Sequence, residues 1–522
     1  MWRLLMVIVI VGGLLVSCRI LPVSAVPVAK VPRAAGVMVP AAEREGVGYV
    51  AAARRADDPM ERLGWCLRAM DALPPEERRW REEATEMAAA VWPARRVEVA
   101  TGGRRWEVSA SPMPGVVLSA ASAWRVSGPM RHYRTRGAGV PMLCGPMAER
   151  DAMPGGLWVN RTAFVSVHGG AARLELVDPA DPKVAGNLMA ADYTLGWARM
   201  FGLAGGMDRR KLPDVFRPGG NEAGPKIYRL APWDPDKRIL LMVHGIFDTP
   251  QMWRGVVNGL FRDPEIAANY QPWVFAWPTG LPLLPAAAAL RREFDAALAA
   301  ADPGGRTFAA RHVTVAGHSM GGLLARTMTS DSGEAVWRAM FTLPPEDLPV
   351  DADDREVLRE ACFFRPDARV ERVVFLCVPH RGSGIASSVI GSTLAKLQDI
   401  PMSVAGPLLR LLTLNPEVIQ PEVLGGAFLP LHASIPDLSP HSPVLRALQA
   451  CPLTKEHHSI IALRFPWPAR WNSDGAVSWR SAHLASADSE TLVRGGHQSY
   501  TDRRCLEAMR RILTEPLHQP VP

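Results

Sequence analysis

Residues His312–Gly322 read HVTVAGHSMGG, and this stretch decides the fold. An apolar run ends at Gly317-His318-Ser319-Met320-Gly321, and a helix-like pattern, GGLLARTMT, opens at once. G-x-S-x-G between a strand and a helix is the setting in which a sharp turn lifts a serine above a sheet. The chain must reverse within a few residues, which forces unusual backbone at Ser319. Side chains at positions 317 and 321 would clash with that turn, so both are glycine. The Met320 amide then stands at a helix N-terminus, directed at any negative charge that develops nearby. The bland alternative is a Gly-rich turn with an incidental serine, and the flanking strand and helix weigh against it.

Working outward, the chain from Lys237 alternates between two periods. RILLMVHG, PWVFAWP, RVVFLCVPH and SIIALRF are short apolar runs, as expected of strands buried on both faces. Between the first two, Trp253, Val256, Val257 and Leu260 fall at helical spacing. PAAAALRREFDAALAAA is a second helix, and DRRCLEAMRRIL closes with one whose Cys505, Leu506, Met509, Ile512 and Leu513 share a face. Strands alternating with helices predict an α/β protein, a mostly parallel sheet with helices on both faces. Ligands bind at the carboxyl ends of such strands, where Ser319 stands.

A serine hydroxyl needs a base to take its proton, and the base needs an acid to orient it. His497, in LVRGGHQSYTDRR, follows a short strand-like stretch, and two glycines give its loop reach. His483 is the competitor, His518 lies further along, and His458 precedes a strand and so belongs at the wrong end of the sheet. For the acid, Asp474 sits in a turn beside Gly475 after the fifth strand and keeps the order Ser, Asp, His. Asp437, Asp488 and Asp502 are alternatives, Asp502 reading as a helix N-cap. The oxyanion donors are the amides of Met320 and of Ile246 in VHGIF, with Phe247 next to it. His244 there holds the loop rather than reacts.

VHG, GHSMGG, VPHRGS and SDGAVS…GGH together resemble a bacterial serine lipase or esterase of the α/β-hydrolase fold, over roughly Ile227 to Leu513. YRLAPWDPDKRILLMVHGIFDTPQMW and WPTG (Trp277–Gly280) further resemble a group of envelope-associated hydrolases with an extra N-terminal region. The resemblance implies a triad on Ser319, Asp474 and His497 and an ester or related acyl substrate, without fixing acyl chain or alcohol. No metal or organic cofactor is needed. An acyltransferase using the same triad is the alternative chemistry, and a non-catalytic scaffold is the alternative class.

The chain has 522 residues, 48% hydrophobic and 21% charged, which excludes disorder and suits two or more domains. Residues 1–18 read as a lipoprotein-type signal peptide. Its apolar run, Leu4–Val16, is too short to span a bilayer comfortably, and Leu15-Val16-Ser17-Cys18 resembles the bacterial lipobox with Cys18 as the lipidated residue. Cleavage after Ala25 is the alternative. Either way the chain leaves the cytoplasm for the cell envelope, with a membrane anchor on Cys18 or as a secreted soluble protein. Arg19 in place of aspartate hints at the outer membrane. Pro- and Ala-rich 19–40 is a tether.

Residues 41–224 read as an α+β domain of structural role. PMERLGWCLRAMDAL carries a stripe of Leu63, Cys66, Leu67, Met70 and Leu73, and a second helix opens at Pro75. RVEVATGGRRWEVSAS alternates on both sides of Gly102-Gly103, a hairpin. Residues 225–522 form the catalytic domain, with cap or lid candidates at 331–371 and 384–430, ordinary packed helices being the plainer account. The six cysteines after Cys18 have long spacings and no CxxC, so no pairing is predicted. The net charge of +7 is spread along the chain without a compact basic block, which excludes a nucleic-acid partner. Oligomeric state is not legible.

Overall fold

The computed structural model describes residues 25–27, 41–126, 130–153, 156–181, 183–184, 189–203, 224–384, 411, 414–425 and 436–517. The signal segment with Cys18, most of the tether, most of 384–430 and His518 lie outside the described residues. The chain gathers into two units, one within Leu21–Gly206 plus Phe261–Ala268 and one within Met207–Leu260 plus Asn269–Pro522.

Continuous apolar runs make the sheet of the second unit. Its strands are β1 (Lys226–Arg229), β2 (Arg238–Val243), β3 (Tyr270–Ala276), β4 (Val313–His318), β5 (Val370–Leu376), β6 (Glu456–Leu463) and β7 (Ser489–Arg494). Their spatial order is β1-β3-β2-β4-β5-β6-β7. All neighbours are parallel except β1, which runs antiparallel to β3. Inner strands are buried on both faces, Val313–His318 throughout, because helices cover both sides. The chain crosses from β3 past β2 to β4 and then adds strands outward in one direction. This strand order, with the nucleophile-type turn after β4, is that of the α/β-hydrolase fold.

The longer helices are α1 (Arg254–Leu260), α2 (Leu283–Ala301), α3 (Met320–Arg326), α4 (Ala335–Met340), α5 (Ala352–Cys362), α6 (Pro443–Ala450) and α7 (Arg503–Thr514). α7 buries Cys505, Met509, Ile512 and Leu513 as its spacing predicts, and Tyr270 donates its hydroxyl to the Leu513 carbonyl. In 331–371, Val336, Trp337, Phe341 and Leu348 join the same core as β2 and β4. In 384–430, Leu411, Val418, Ile419 and Val423 do likewise.

In the first unit, helices span Ala41–Arg55, Pro59–Ala72 and Arg78–Ala90. The third starts at Arg78, not Pro75, because Pro74–Glu77 close a turn through Glu77 N–H to the Pro74 carbonyl. A six-stranded sheet runs in space Val97–Thr101, Arg104–Val108, Ala171–Val177, Leu157–His168, Val140–Met147, Leu118–Ala120. Gly102 and Gly103, at φ +57° and +78°, form the two-residue hairpin turn between the first pair, whose twist needs positive φ at both positions. Leu63, Cys66 and Leu67 pack in one core with Trp106, Val108 and Met142.

Candidate active site

The turn after β4 carries the strain its sequence implies. Ser319 has φ +53° and ψ −128°, a backbone conformation rare for any residue but glycine. Its N–H is held by the Leu376 carbonyl at 2.9 Å. A Cβ on Gly317 would come 2.5 Å from Gly322 Cα, and one on Gly321 would come 2.3 Å from the Val243 carbonyl oxygen. Both contacts are with backbone, which cannot swing aside, so glycine is the residue that lets α3 dock on β2.

His497 Nε2 lies 2.9 Å from Ser319 Oγ, and His497 Nδ1 lies 2.7 Å from Asp474 Oδ2. The structure thus brings together three residues separated by up to 178 positions. Asp474 is buried, and its other oxygen accepts the amides of Ala476 at 2.8 Å and Val477 at 2.6 Å. Burial pushes its carboxyl up, but the His497 charge and hydrogen bond and the two amides outweigh it, so it sits below the usual carboxylate value. Burial pulls the His497 imidazole down. The Asp474 charge and hydrogen bond, helped by the charge of Asp248, win and leave it above 6.5. A base so placed can accept a serine proton while the carboxylate holds its tautomer and stabilises the imidazolium.

Two neighbours that the sequence reading did not single out hold this arrangement. His318 is buried, and its Nε2–H donates to the His497 carbonyl at 2.9 Å. Its ring lies 4.8 Å from the His497 ring and edge-on to Tyr500 at 5.0 Å. Burial, then the His497 charge, depresses its pKa to about 3, so it stays neutral and serves as a fixed donor. The signal for it lay inside the pentapeptide itself, as the residue before the serine. Asp248 is buried in the loop after β2 and accepts the Thr249 N–H at 3.0 Å. Burial raises it to about 7, against the pull of Arg254 and His497.

The same loop lies directly against the nucleophile, since a Cβ on Gly245 would come 2.9 Å from Ser319 Cβ. Phe247 has φ +57°, and Ile246 is partly buried against the core. His244 is buried with its ring stacked on Trp277. It contacts the Gly245 carbonyl through Nδ1 at 3.0 Å and receives the Trp277 backbone N–H on Nε2 at 3.4 Å. Burial lowers its pKa to about 4.

The alternative residues have other partners. His483 pairs with Glu490 at 2.6 Å and stacks on Trp479. His458 does not precede the strand but lies within β6, bonded to Ser489 and Glu456, because β6 starts at Glu456. Asp437 accepts the Leu283 amide, Asp488 that of His457, and Asp502 caps α7 through Arg504 N–H. Cys377, at the end of β5 with φ +51°, is one of six described cysteines, all buried and unpaired. Its thiol joins Asp474 and His497 in the one set of three potential metal donors gathered among the described residues, with ligand atoms within 4.8 Å of one another. Burial holds that thiol protonated, and the other two groups are hydrogen-bonded to each other.

No family model and no curated protein matches the chain. Among solved structures it is similar to the mature lipase BlEst2 of Bacillus licheniformis, at 14% identity and TM-score 0.31, over 56% of this chain and 97% of that one. It is similar to lipase 1 of Pelosinus fermentans, at 13% identity and TM-score 0.33, over 55% and 100%. It is also similar to the bottromycin epimerase BotH, at 15% identity and TM-score 0.29, over 56% and 95%. At such identities and scores these likenesses add no weight of their own, and the strand order above is what assigns the α/β-hydrolase fold.

Proposed function

We propose that the chain is a serine hydrolase that cleaves carboxylic esters through an acyl-enzyme on Ser319. The hydrogen-bonded run from Ser319 Oγ through His497 to Asp474 carries this proposal. Ser319 Oγ attacks the ester carbonyl carbon as its proton passes to His497 Nε2. The tetrahedral oxyanion is held by the amides of Met320, the first of α3 and without an acceptor inside the helix, and of Ile246. Collapse breaks the bond to the alcohol, which leaves with the proton from His497. Water, deprotonated by His497, then attacks the acyl carbon. Ser319 recovers its proton, and the free acid departs.

The test is a series of p-nitrophenyl esters of graded chain length on the chain and on Ser319→Ala. Turnover and fluorophosphonate labelling are both lost in the variant. Labelling without release of free acid from any ester, but with transfer to an added alcohol, assigns the acyltransferase chemistry instead. Export and lipidation on Cys18 are part of the same proposal, supported by the lipobox-like Leu15–Cys18. Palmitate incorporation that disappears in Cys18→Ser tests it.

A further inference from the structure

We propose that the loop Phe465–Trp471 docks the protein on an anionic lipid–water interface. The loop leaves the end of β6 and returns three residues before Asp474. Its neck is fixed by Asn472, which is buried. Asn472 Oδ1 accepts the amides of Phe465 at 3.1 Å and Ser473 at 2.8 Å, while Nδ2 donates to the carbonyls of Phe465 at 2.6 Å and Trp467 at 2.9 Å. Arg464 N–H to the Ser473 carbonyl closes it.

This rigid base presents apolar side chains outward. Phe465, Trp467 and Trp471 are 37%, 57% and 58% exposed. Of the eight exposed large hydrophobics among the described residues, these three fall within seven consecutive positions and are the only aromatics besides Phe308. Phe465 and Trp467 stack at 4.7 Å, so they form one face. A stacked, exposed aromatic pair on a pinned loop, with a third exposed aromatic four positions on, marks an interaction site rather than a packing accident.

The surroundings select the partner. The Arg470 guanidinium lies 3.9 Å over the Trp471 ring. Arg480 donates to the Arg470 carbonyl and Arg381 to the Arg480 carbonyl, and a Cβ on Gly475 would meet the Arg464 guanidinium at 3.1 Å. Among the described residues none of these four cations is in a salt bridge. The acid nearest in the hydrogen-bond network, Glu490, is held by His483 and Trp479. Tryptophan places an apolar body and a polar N–H at the headgroup level, and unpaired arginines beside it attract anionic headgroups. Only the delivery of substrate rests on the ester-hydrolase reading, since the loop runs on into the Asp474 turn and docking sets the lipid surface beside it. Docking itself does not depend on that reading.

Vesicle sedimentation of the full chain carrying Ser319→Ala, with and without Trp467→Ala/Trp471→Ala, tests the proposal on phosphatidylcholine with and without phosphatidylglycerol. Attachment through the N-terminal segment is common to both chains. Partition into the phosphatidylglycerol vesicles falls about tenfold without the two tryptophans. Arg470→Gln/Arg480→Gln, which keeps the apolar face, loses the preference for phosphatidylglycerol. Equal partition of the double tryptophan variant and its parent overturns the proposal, even where dextran sulfate still distinguishes them. With Ser319 intact, the tryptophan variant hydrolyses a soluble p-nitrophenyl ester at the parental rate. If neither chain does, the esterase reading fails while the docking result stands.

Discussion

At the residue scale, the proposed mechanism makes the imidazole of His497 the group that decides when the site works. Protonated, it cannot accept the Ser319 proton, so kcat/KM rises with pH through its pKa. Asp474 holds that pKa above 6.5, so the acid limb lies higher than for an ordinary histidine. Asp474→Asn removes the charge and leaves burial to dominate. The limb moves to lower pH, while the plateau falls about 10⁴-fold because the tautomer is no longer held. A pH–rate profile on both chains checks direction and size. His318 holds the His497 backbone through its Nε2–H. His318→Ala frees that backbone and lowers kcat by up to about 10²-fold through misplacement of the base. KM changes little and serine labelling slows in parallel. Unchanged labelling would remove His318 from a positioning role.

At the scale of elements, the close approach of α3 to the ends of β2 and β4 is what holds the serine in its strained turn beside His497. Gly321→Ala puts a methyl group 2.3 Å from the Val243 carbonyl, and neither backbone segment can yield without moving the other. The cost is about 1–3 kcal/mol or more, as for overpacking in a well-filled core. Thermal melting reads this as a lower midpoint, accompanied by loss of fluorophosphonate labelling. Gly48, in a helix of the first unit, has open space where a Cβ would go. Gly48→Ala therefore keeps or raises stability, by about 0.5–1 kcal/mol of helix propensity, read as an unchanged or higher melting midpoint.

At the scale of the whole molecule, none of the six described cysteines is in a disulfide. Each is buried, and burial lifts the thiols of Cys66, Cys144, Cys362 and Cys505 to about 12. Buried neutral thiols are unreactive. The folded chain should melt at the same temperature with and without dithiothreitol. In native buffer none of the six should react with Ellman's reagent, and all should react in guanidinium. A reductant-dependent melting point would contradict the unpaired state.

What the sequence determined by itself was local. Apolar runs between helical periods specify buried parallel strands, because only strands covered on both faces tolerate such runs. Gly317 and Gly321 around Ser319 specify the strained turn, because backbone sterics there act between near neighbours. β1 was not legible, since four residues reading KIYR carry too little period, and pairing with β3 alone makes them a strand. Only the tertiary structure decided which histidine and which aspartate meet Ser319. Candidates such as His483 and Asp437 are also histidines and aspartates in loops, and what separates them is the partner each finds in space. His483 finds the Glu490 carboxylate seven residues on, and Asp437 finds the Leu283 amide 154 positions away. His318 and Asp248 stayed hidden for the same reason, because the hydrogen bond of the one and the charge of the other reach His497 once the sheet has brought the loops together.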